Sequence, residues 1–337
     1  MQYCDGKRMA TSALRVVSAE GPILDTILDA SFTIWHEGLT REAYGRWYAA
    51  QLKTPYGRQR LKRMALVDRG DVLASAKLYE FDGRLDGRRV RVIGIGAVFT
   101  QPAHRGRGYA RDLIERLLER ASQDGFEMAL LFSEIGATYY ERLGFAVIPT
   151  VERVVEVAMP PGRGAPAALV RAGDDRDLPA IADMGRSRAA TYRFHVDRDP
   201  DLIQYAIARR RLLAGLGPAG LREVQFFVAE EGASAVAYVV LGVERHDAAV
   251  WTITECGDRD PSGARVGAIL QTLIAREPSD RRPSIRGRLP AGFLPPQMSV
   301  AETRPTADVM MIRMLSGQSP APLLRDDDVL FWQADVF

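Results

Sequence analysis

The chain has 337 residues, 47% of them hydrophobic and 26% charged, with a net charge of only +2. Such a length fits two domains of roughly 100 to 200 residues each, and the near-neutral charge excludes a dedicated nucleic-acid binder, which would carry a strongly basic face. Cys4 and Cys256 are the only cysteines, too few for a disulfide framework or a cysteine-based zinc cluster. No apolar run reaches the length of a membrane span, and the first residues lack the apolar core of a signal peptide. A cytoplasmic protein is expected, with no metal, no nucleic-acid partner and no membrane partner.

Leu14 to Ser18 reads as a first strand. Ile23, Ile27, Leu28, Ser31 and Phe32 then fall at helical spacing, Gly38 breaks the run, and Thr40 caps a second helix. Met64 to Val67 and Val72 to Phe81 read as strands joined by a turn at Asp68, and Gly83 and Gly87 mark the reversal into a long strand, Arg89 to Thr100. Within that strand Gly94, Gly96 and Ala97 predict a bulge, or a place where another chain or a ligand comes close to the backbone. The turn Arg105-Gly106-Arg107-Gly108-Tyr109-Ala110 follows. A helix starts at once, with Ala110, Leu113, Ile114, Leu117, Leu118 and Ala121 on one face.

A glycine turn at a helix N-terminus offers free N–H groups and the positive end of the dipole, and the two arginines add charge, which together suit a pyrophosphate. The bland alternative is a glycine-rich turn with solvated arginines. The turn is neither a Gly-x-Gly-x-x-Gly fingerprint nor a Walker loop.

Arg105-x-x-Gly108-x-Ala110 resembles the Arg/Gln-x-x-Gly-x-Gly/Ala signature of the GNAT acyl-CoA N-acyltransferases. Tyr140-Glu-Arg-Leu-Gly144-Phe145, about thirty residues further on, resembles the family's second motif. The resemblance covers about residues 12 to 150 and implies an α/β (α+β) fold, with a mixed, mostly antiparallel sheet flanked by helices. It also implies acetyl-CoA as co-substrate, its phosphates on Arg105, Gly106, Arg107, Gly108, Tyr109 and Ala110. The pantetheine arm would run along Val98, Phe99 and Thr100, at the edge of a V between the fourth and fifth strands, with Ser133 near its amides. Tyr140 matches the family's thiol-facing tyrosine, the proton donor, with Tyr139 as the register alternative.

In the family the first helices wall the acceptor site, which makes Phe32, Trp35, His36, Glu37, Tyr44 and Trp47 candidates, against the reading of such aromatics as core. The glutamate that many members carry on the strand before the turn is missing. The general base therefore stays open between Glu80, Glu134 and a water chain.

After a strand from Val151 to Ala158 comes a Pro/Gly-rich stretch, and the second half then echoes the first: a short strand, helices to about Leu216, three strands, and a helix from Gly263 to Ala275. The loop before that helix carries Glu255, Asp258 and Asp260 and lacks the glycine signature, which predicts a degenerate copy unable to hold the cofactor. The two aspartates read as loop caps or as groups facing a cationic acceptor. The expected domains are a catalytic unit at 1–155, a linker at 156–168, the degenerate unit at 169–315, and a tail at 316–337 too apolar to stay undocked.

This tandem arrangement is similar in part to the enhanced-intracellular-survival acetyltransferases, which implies a terminal carboxylate, here that of Phe337, as a further candidate base. The expected activity is acetyl transfer to a small cationic amine, an amino acid or a lysine, with a non-catalytic acyl-CoA sensor as the alternative. A homodimer through an exposed edge or the tail is an open expectation.

Overall fold

The computed structural model describes residues 14–158, 169–245, 248–315 and 323–337; Cys4 and the expected linker from Met159 onward lie outside them. The first half runs β1 (Arg15–Ser18), α1 (Gly21–Trp35), α2 (Arg41–Gln51), α3 (Pro55–Arg60), β2 (Leu61–Asp68), β3 (Asp71–Leu85), β4 (Arg88–Thr100), α4 (Tyr109–Gln123), β5 (Met128–Ser133), α5 (Thr138–Glu141), β6 (Ala146–Ile148) and β7 (Val151–Val157). The second runs β8 (Leu169–Ala172), α6 (Leu178–Ala189), β9 (Phe194–Val196), α7 (Pro200–Leu216), β10 (Arg222–Glu231), β11 (Ser234–Arg245), β12 (Ala249–Asp258), α8 (Ala264–Ile274), β13 (Ser284–Gly287), β14 (Met298–Pro305), β15 (Val309–Met314) and β16 (Val329–Leu330).

Local chemistry accounts for several of these boundaries. Thr40 Oγ1 accepts from the Ala43 N–H at the start of α2, and Thr54 Oγ1 from the Gly57 N–H at α3, each satisfying a donor that a helix start leaves free. The apolar stripe of α4, Leu113, Ile114, Leu117, Leu118 and Ala121, is buried against Leu78, Ile93, Ile95, Ala129 and Leu131 of the sheet. Each large side chain so covered contributes about 1.5–3 kcal/mol.

The strands form two sheets. A nine-stranded one has the spine β1-β2-β3-β4-β5-β15-β6 with β9 and β16 attached at β3, and a seven-stranded one runs β8-β10-β11-β12-β13-β7-β14. The β4–β5 and β12–β13 pairs are parallel, and the other neighbours along both spines are antiparallel. Position by position the two spines have one order, with α4 and α8 in the two parallel crossovers. The fold is thus a duplicated, mixed α/β architecture.

The halves exchange one strand. β7 sits in the second sheet between β13 and β14, and β15 sits in the first between β5 and β6. A boundary at residue 155 therefore cuts through a strand of the second sheet, and the segment 169–315 carries a strand of the first.

The end of the chain packs on both halves: Leu324, Val329, Leu330, Phe331, Trp332 and Ala334 are buried. Arg210 donates to the carbonyls of Gln333 (2.5 Å) and Ala334 (3.1 Å), and Arg209 to that of Val336 (2.7 Å).

Candidate active site

β4 and β5 pair from Val92–Met128 to Ile95–Leu131 and then part, although β4 continues to Thr100 and β5 to Ser133. On its other side β4 is bulged: Gly96 faces Lys77 and Phe99 faces Ser75, so Ala97 and Val98 have no partner in either ladder. Ala97 takes a φ of +46° at this bulge. The weak point read from the sequence is both a bulge and a close approach, and what approaches is Phe337. A Cβ on Gly94 would stand 2.5 Å from Phe337 Cζ, and one on Gly96 3.0 Å from Phe337 Cδ2 and 3.1 Å from its main-chain oxygen.

Beyond the V, Gly108 caps α4 with φ +82°, a conformation that L side chains rarely adopt; no side chain caps this helix start, and a Cβ on Gly108 would meet nothing within 4 Å. Arg105 and Arg107 are exposed, and neither joins an ion pair among the described residues; Arg105 reaches the Thr100 carbonyl at 3.4 Å. A cavity of about 420 Å³ lies over this turn, bounded by Val98, Thr100, Tyr109, Tyr139 and Tyr140, with Arg111 and Arg142 adding charge that the sequence reading did not single out. Free donors, unpaired guanidiniums and an unpaired strand edge fit the diphosphate and pantetheine of coenzyme A.

A second cavity, of about 250 Å³, meets the first at Val98, Ile135 and Tyr140. Trp35, Glu37, Tyr44 and Trp47 wall it from the helices, and Arg63, Lys77 and Tyr79 floor it from β2 and β3. Arg209 of α7, Val336 and Phe337 close it from the second half. Tyr140 is 8% exposed, and burial pushes its hydroxyl up to about 12, so it stays protonated across the working pH range. Tyr139 borders the first cavity alone.

The other expected residues divide. Trp35 and Glu37 line the second cavity, whereas Phe32 packs on Tyr44 (5.9 Å between rings) and His36 Nδ1 accepts from the Gly38 N–H (3.0 Å). Val98 and Thr100 border the first cavity, but Phe99 does not line it and packs edge-on to Trp35. Ser133 lines the second cavity, not the first, with its hydroxyl donated to the Gly136 carbonyl (2.6 Å). Glu80 lies outside both cavities, ion-paired with Lys62, because strand alternation places it on the face opposite Tyr79. Glu134 stands at the exposed mouth, its carboxyl raised by burial and by the nearby Asp308 and Glu37.

The acidic loop of the second half does not line the second cavity. Asp258 accepts from the N–H groups of Asp260 (2.9 Å) and Arg265 (2.8 Å), and Glu255 is buried between Arg198 and Tyr238 (2.7 Å to each). Asp260 in turn accepts from the Ser262 N–H (3.0 Å), so both aspartates are loop caps and neither faces a cationic acceptor. At the α8 start, where a second cradle would lie, Phe293 stands 2.6 Å from where a Cβ on Gly263 would sit. No helix among the described residues is long and apolar enough to cross a membrane, and none of their His, Cys, Asp and Glu side chains form a group of three that could hold a metal.

Residues 25–148 match the family described as an acetyltransferase (GNAT) domain. Comparison with curated protein sequences gives no match. Among solved structures the chain is similar to a GCN5-related N-acetyltransferase from Anabaena variabilis, at 14% identity and a TM-score of 0.66 over 90% of this chain and 73% of that one. It is similar to another from Kribbella flavida (18% identity, TM-score 0.64, 90% and 71% covered) and to Eis1 from Mycobacterium abscessus (16%, 0.54, 90% and 74%). Coverage of 90% takes in both sheets, so the likeness extends beyond the first half. The chain thus has the GNAT acetyltransferase fold, present in duplicate, with the family's own sequence pattern in the first copy.

Proposed function

We propose that the protein is an N-acetyltransferase that moves an acetyl group from acetyl-CoA directly to a primary amine. The observation that carries this reading is the meeting of two cavities at Val98 and Tyr140, one over a phosphate-type cradle and one walled by aromatics. Acetyl-CoA bound in the first would supply the thioester whose C–S bond breaks as the C–N bond forms. Arg105 to Ala110 would hold its phosphates, and the free edge from Val98 to Thr100 would pair with the pantetheine arm as an added strand.

The main-chain groups of Ala97 and Val98, absent from both ladders, supply N–H donors toward a carbonyl. Tyr140 donates to the departing sulfur. The carboxyl of Phe337, beside Gly96, is our candidate to take the ammonium proton, ahead of Glu134 at the mouth. The second half, its own helix start closed by Asp258 and Phe293, serves in this reading to wall the acceptor site with Arg209 and the tail.

Calorimetric titration with acetyl-CoA, paired with thiol release over an amine panel, tests this. Wild type and Tyr140→Phe should bind acetyl-CoA within about threefold of each other, while thiol release by the variant falls by roughly 100-fold or more. Binding without release from any amine would leave a non-catalytic acyl-CoA sensor. No binding would overturn the cradle.

A further inference from the structure

The floor of the acceptor cavity is a row of cations. Arg63 on β2, Lys77 on β3 and Gly96 on β4 are direct cross-strand partners, so the three lie in line across the sheet on the face that lines the cavity. Arg209 comes down on the same cavity from α7. Arg63 is 3% exposed; its Nη2 donates to Ser75 Oγ at 3.2 Å, and its Nε and Nη1 are buried without a hydrogen-bond partner. Lys77, 8% exposed, points its ammonium over the rings of Trp47 (5.7 Å) and Tyr48 (5.3 Å). Among the described residues no carboxylate oxygen lies within 4.0 Å of a nitrogen of Arg63, Lys77 or Arg209.

A buried guanidinium normally has its donors filled, because leaving them empty costs the full desolvation penalty of a charged group. Burial, with Arg63 and Arg209 beside it, pushes the Lys77 ammonium well below its ordinary value, as befits a cation cluster without its counter-charge. The carboxylates bordering this cavity are Glu37 and Glu134, both exposed at its mouth, and the chain-terminal carboxyl of Phe337 beside Gly96, which forms no ion pair with Arg63, Lys77 or Arg209.

We propose that this floor is an anion subsite and that the acceptor is a small amino carboxylate, its carboxylate held by Arg63 and Lys77 and its amine at Gly96. The inference rests on the acetyltransferase reading for the amine end only. Strands lie about 4.8 Å apart, so the row puts the anion roughly 5–10 Å from the transfer point, the span from the amine to the carboxylate of a short ω-amino acid or of lysine. The cavity of about 250 Å³ suits a molecule of that size and not a polycation of several rings. A planar carboxylate can take two donors from Arg63 at once, and the aromatic walls exclude the water that would otherwise solvate the cations.

The test is a calorimetric titration, with the acetyl-CoA-loaded protein, of matched pairs that differ only in the carboxylate: ε-aminocaproate against ε-aminocaproamide, and lysine against cadaverine. Wild type should bind the carboxylate member at least about tenfold more tightly, and Lys77→Met and Arg63→Met should each abolish that preference. Lys77→Met removes a buried charge and is expected to fold, so a failure of Arg63→Met to fold leaves the test intact. Equal or tighter binding of the amide and the diamine by wild type would overturn the proposal, as would a preference that survives both substitutions. Thiol release is read in parallel. Carboxylate preference without release from any amine refutes the transferase reading and leaves the anion subsite standing, whereas release without preference does the reverse.

Discussion

Lys77 sits in the middle of β3 in an otherwise apolar run, and the fold gives its ammonium aromatic faces in place of a carboxylate. In the unfolded chain it titrates near its ordinary value of 10.5; in the fold, burial first and then Arg63 and Arg209 lower it well below that. Between those two values the unfolded chain binds the extra proton, so stability rises with pH through that window, and below it the penalty is constant and complete. Lys77→Met should therefore be more stable than wild type at low and neutral pH, by about 1 kcal/mol or more, and the gap should close as pH approaches 10. Urea denaturation of both proteins at several pH values checks the sign, and a variant that is less stable throughout would contradict it. The glycine turn before α4 and the placement of Tyr140 at the meeting of the two cavities follow from local pattern: a glycine with positive φ, arginines beside it, a tyrosine in a short motif. Arg63 and Lys77 left only the faint signal of a charge inside an apolar strand, and Arg209 left none, since its place at the site depends on how the two halves meet.

At the scale of elements, the glycines of β4 and the end of the chain form one device. Gly94 and Gly96 leave the space in which the Phe337 ring packs 4.4 Å from Tyr79 and 5.6 Å from Phe81, and this packing brings the Phe337 main chain against β4. A methyl group at residue 96 would meet that main-chain oxygen at 3.1 Å, closer than most real contacts, so the end of the chain has to shift. Gly96→Ala should lower kcat by about tenfold or more while the acetyl-CoA Kd stays within about threefold, since a small misplacement of a reacting group is costly and the cradle is untouched. A protein with one glycine appended after Phe337 should show the same pattern, which separates a role for the carboxyl from a role for the ring. Stopped-flow thiol release and calorimetry read both quantities; unchanged kcat in both proteins would return the base to Glu134 or to water. The succession of strands and helices along the first half, a weak point in β4 and the long amphipathic helix could be read from periodicity and glycine placement, whereas the V between β4 and β5 came only with the family resemblance. Glu80 was misjudged because a strand's two faces cannot be told apart until its neighbours are known, and Tyr79, not Glu80, faces the cavity.

At the scale of the whole molecule, the exchanged strands make each half incomplete. Removing the second half would take β15 from between β5 and β6, opening the ladders that Val309–Met314 and Met310–Ile312 now satisfy, and would leave β7 without β13 and β14. Unpaired edges of that length template aggregation. No sequence signal announces the exchange, because β7 and β15 each follow their own half without a break in pattern and only the pairing tells where they go. A chain cut within residues 159–168 is therefore expected to yield two fragments that are insoluble or lack a cooperative transition when expressed singly. Co-expressed, they should co-purify in equal amounts with one sharp thermal transition, because each supplies the other's missing strand. The acceptor cavity adds a functional readout: Arg209, Val336 and Phe337 come from the second fragment and the cradle from the first. Thiol release should appear only in the reassembled pair. A first fragment that folds alone, melts sharply and releases thiol would show that the exchange is dispensable and that the second half has no part in the acceptor site.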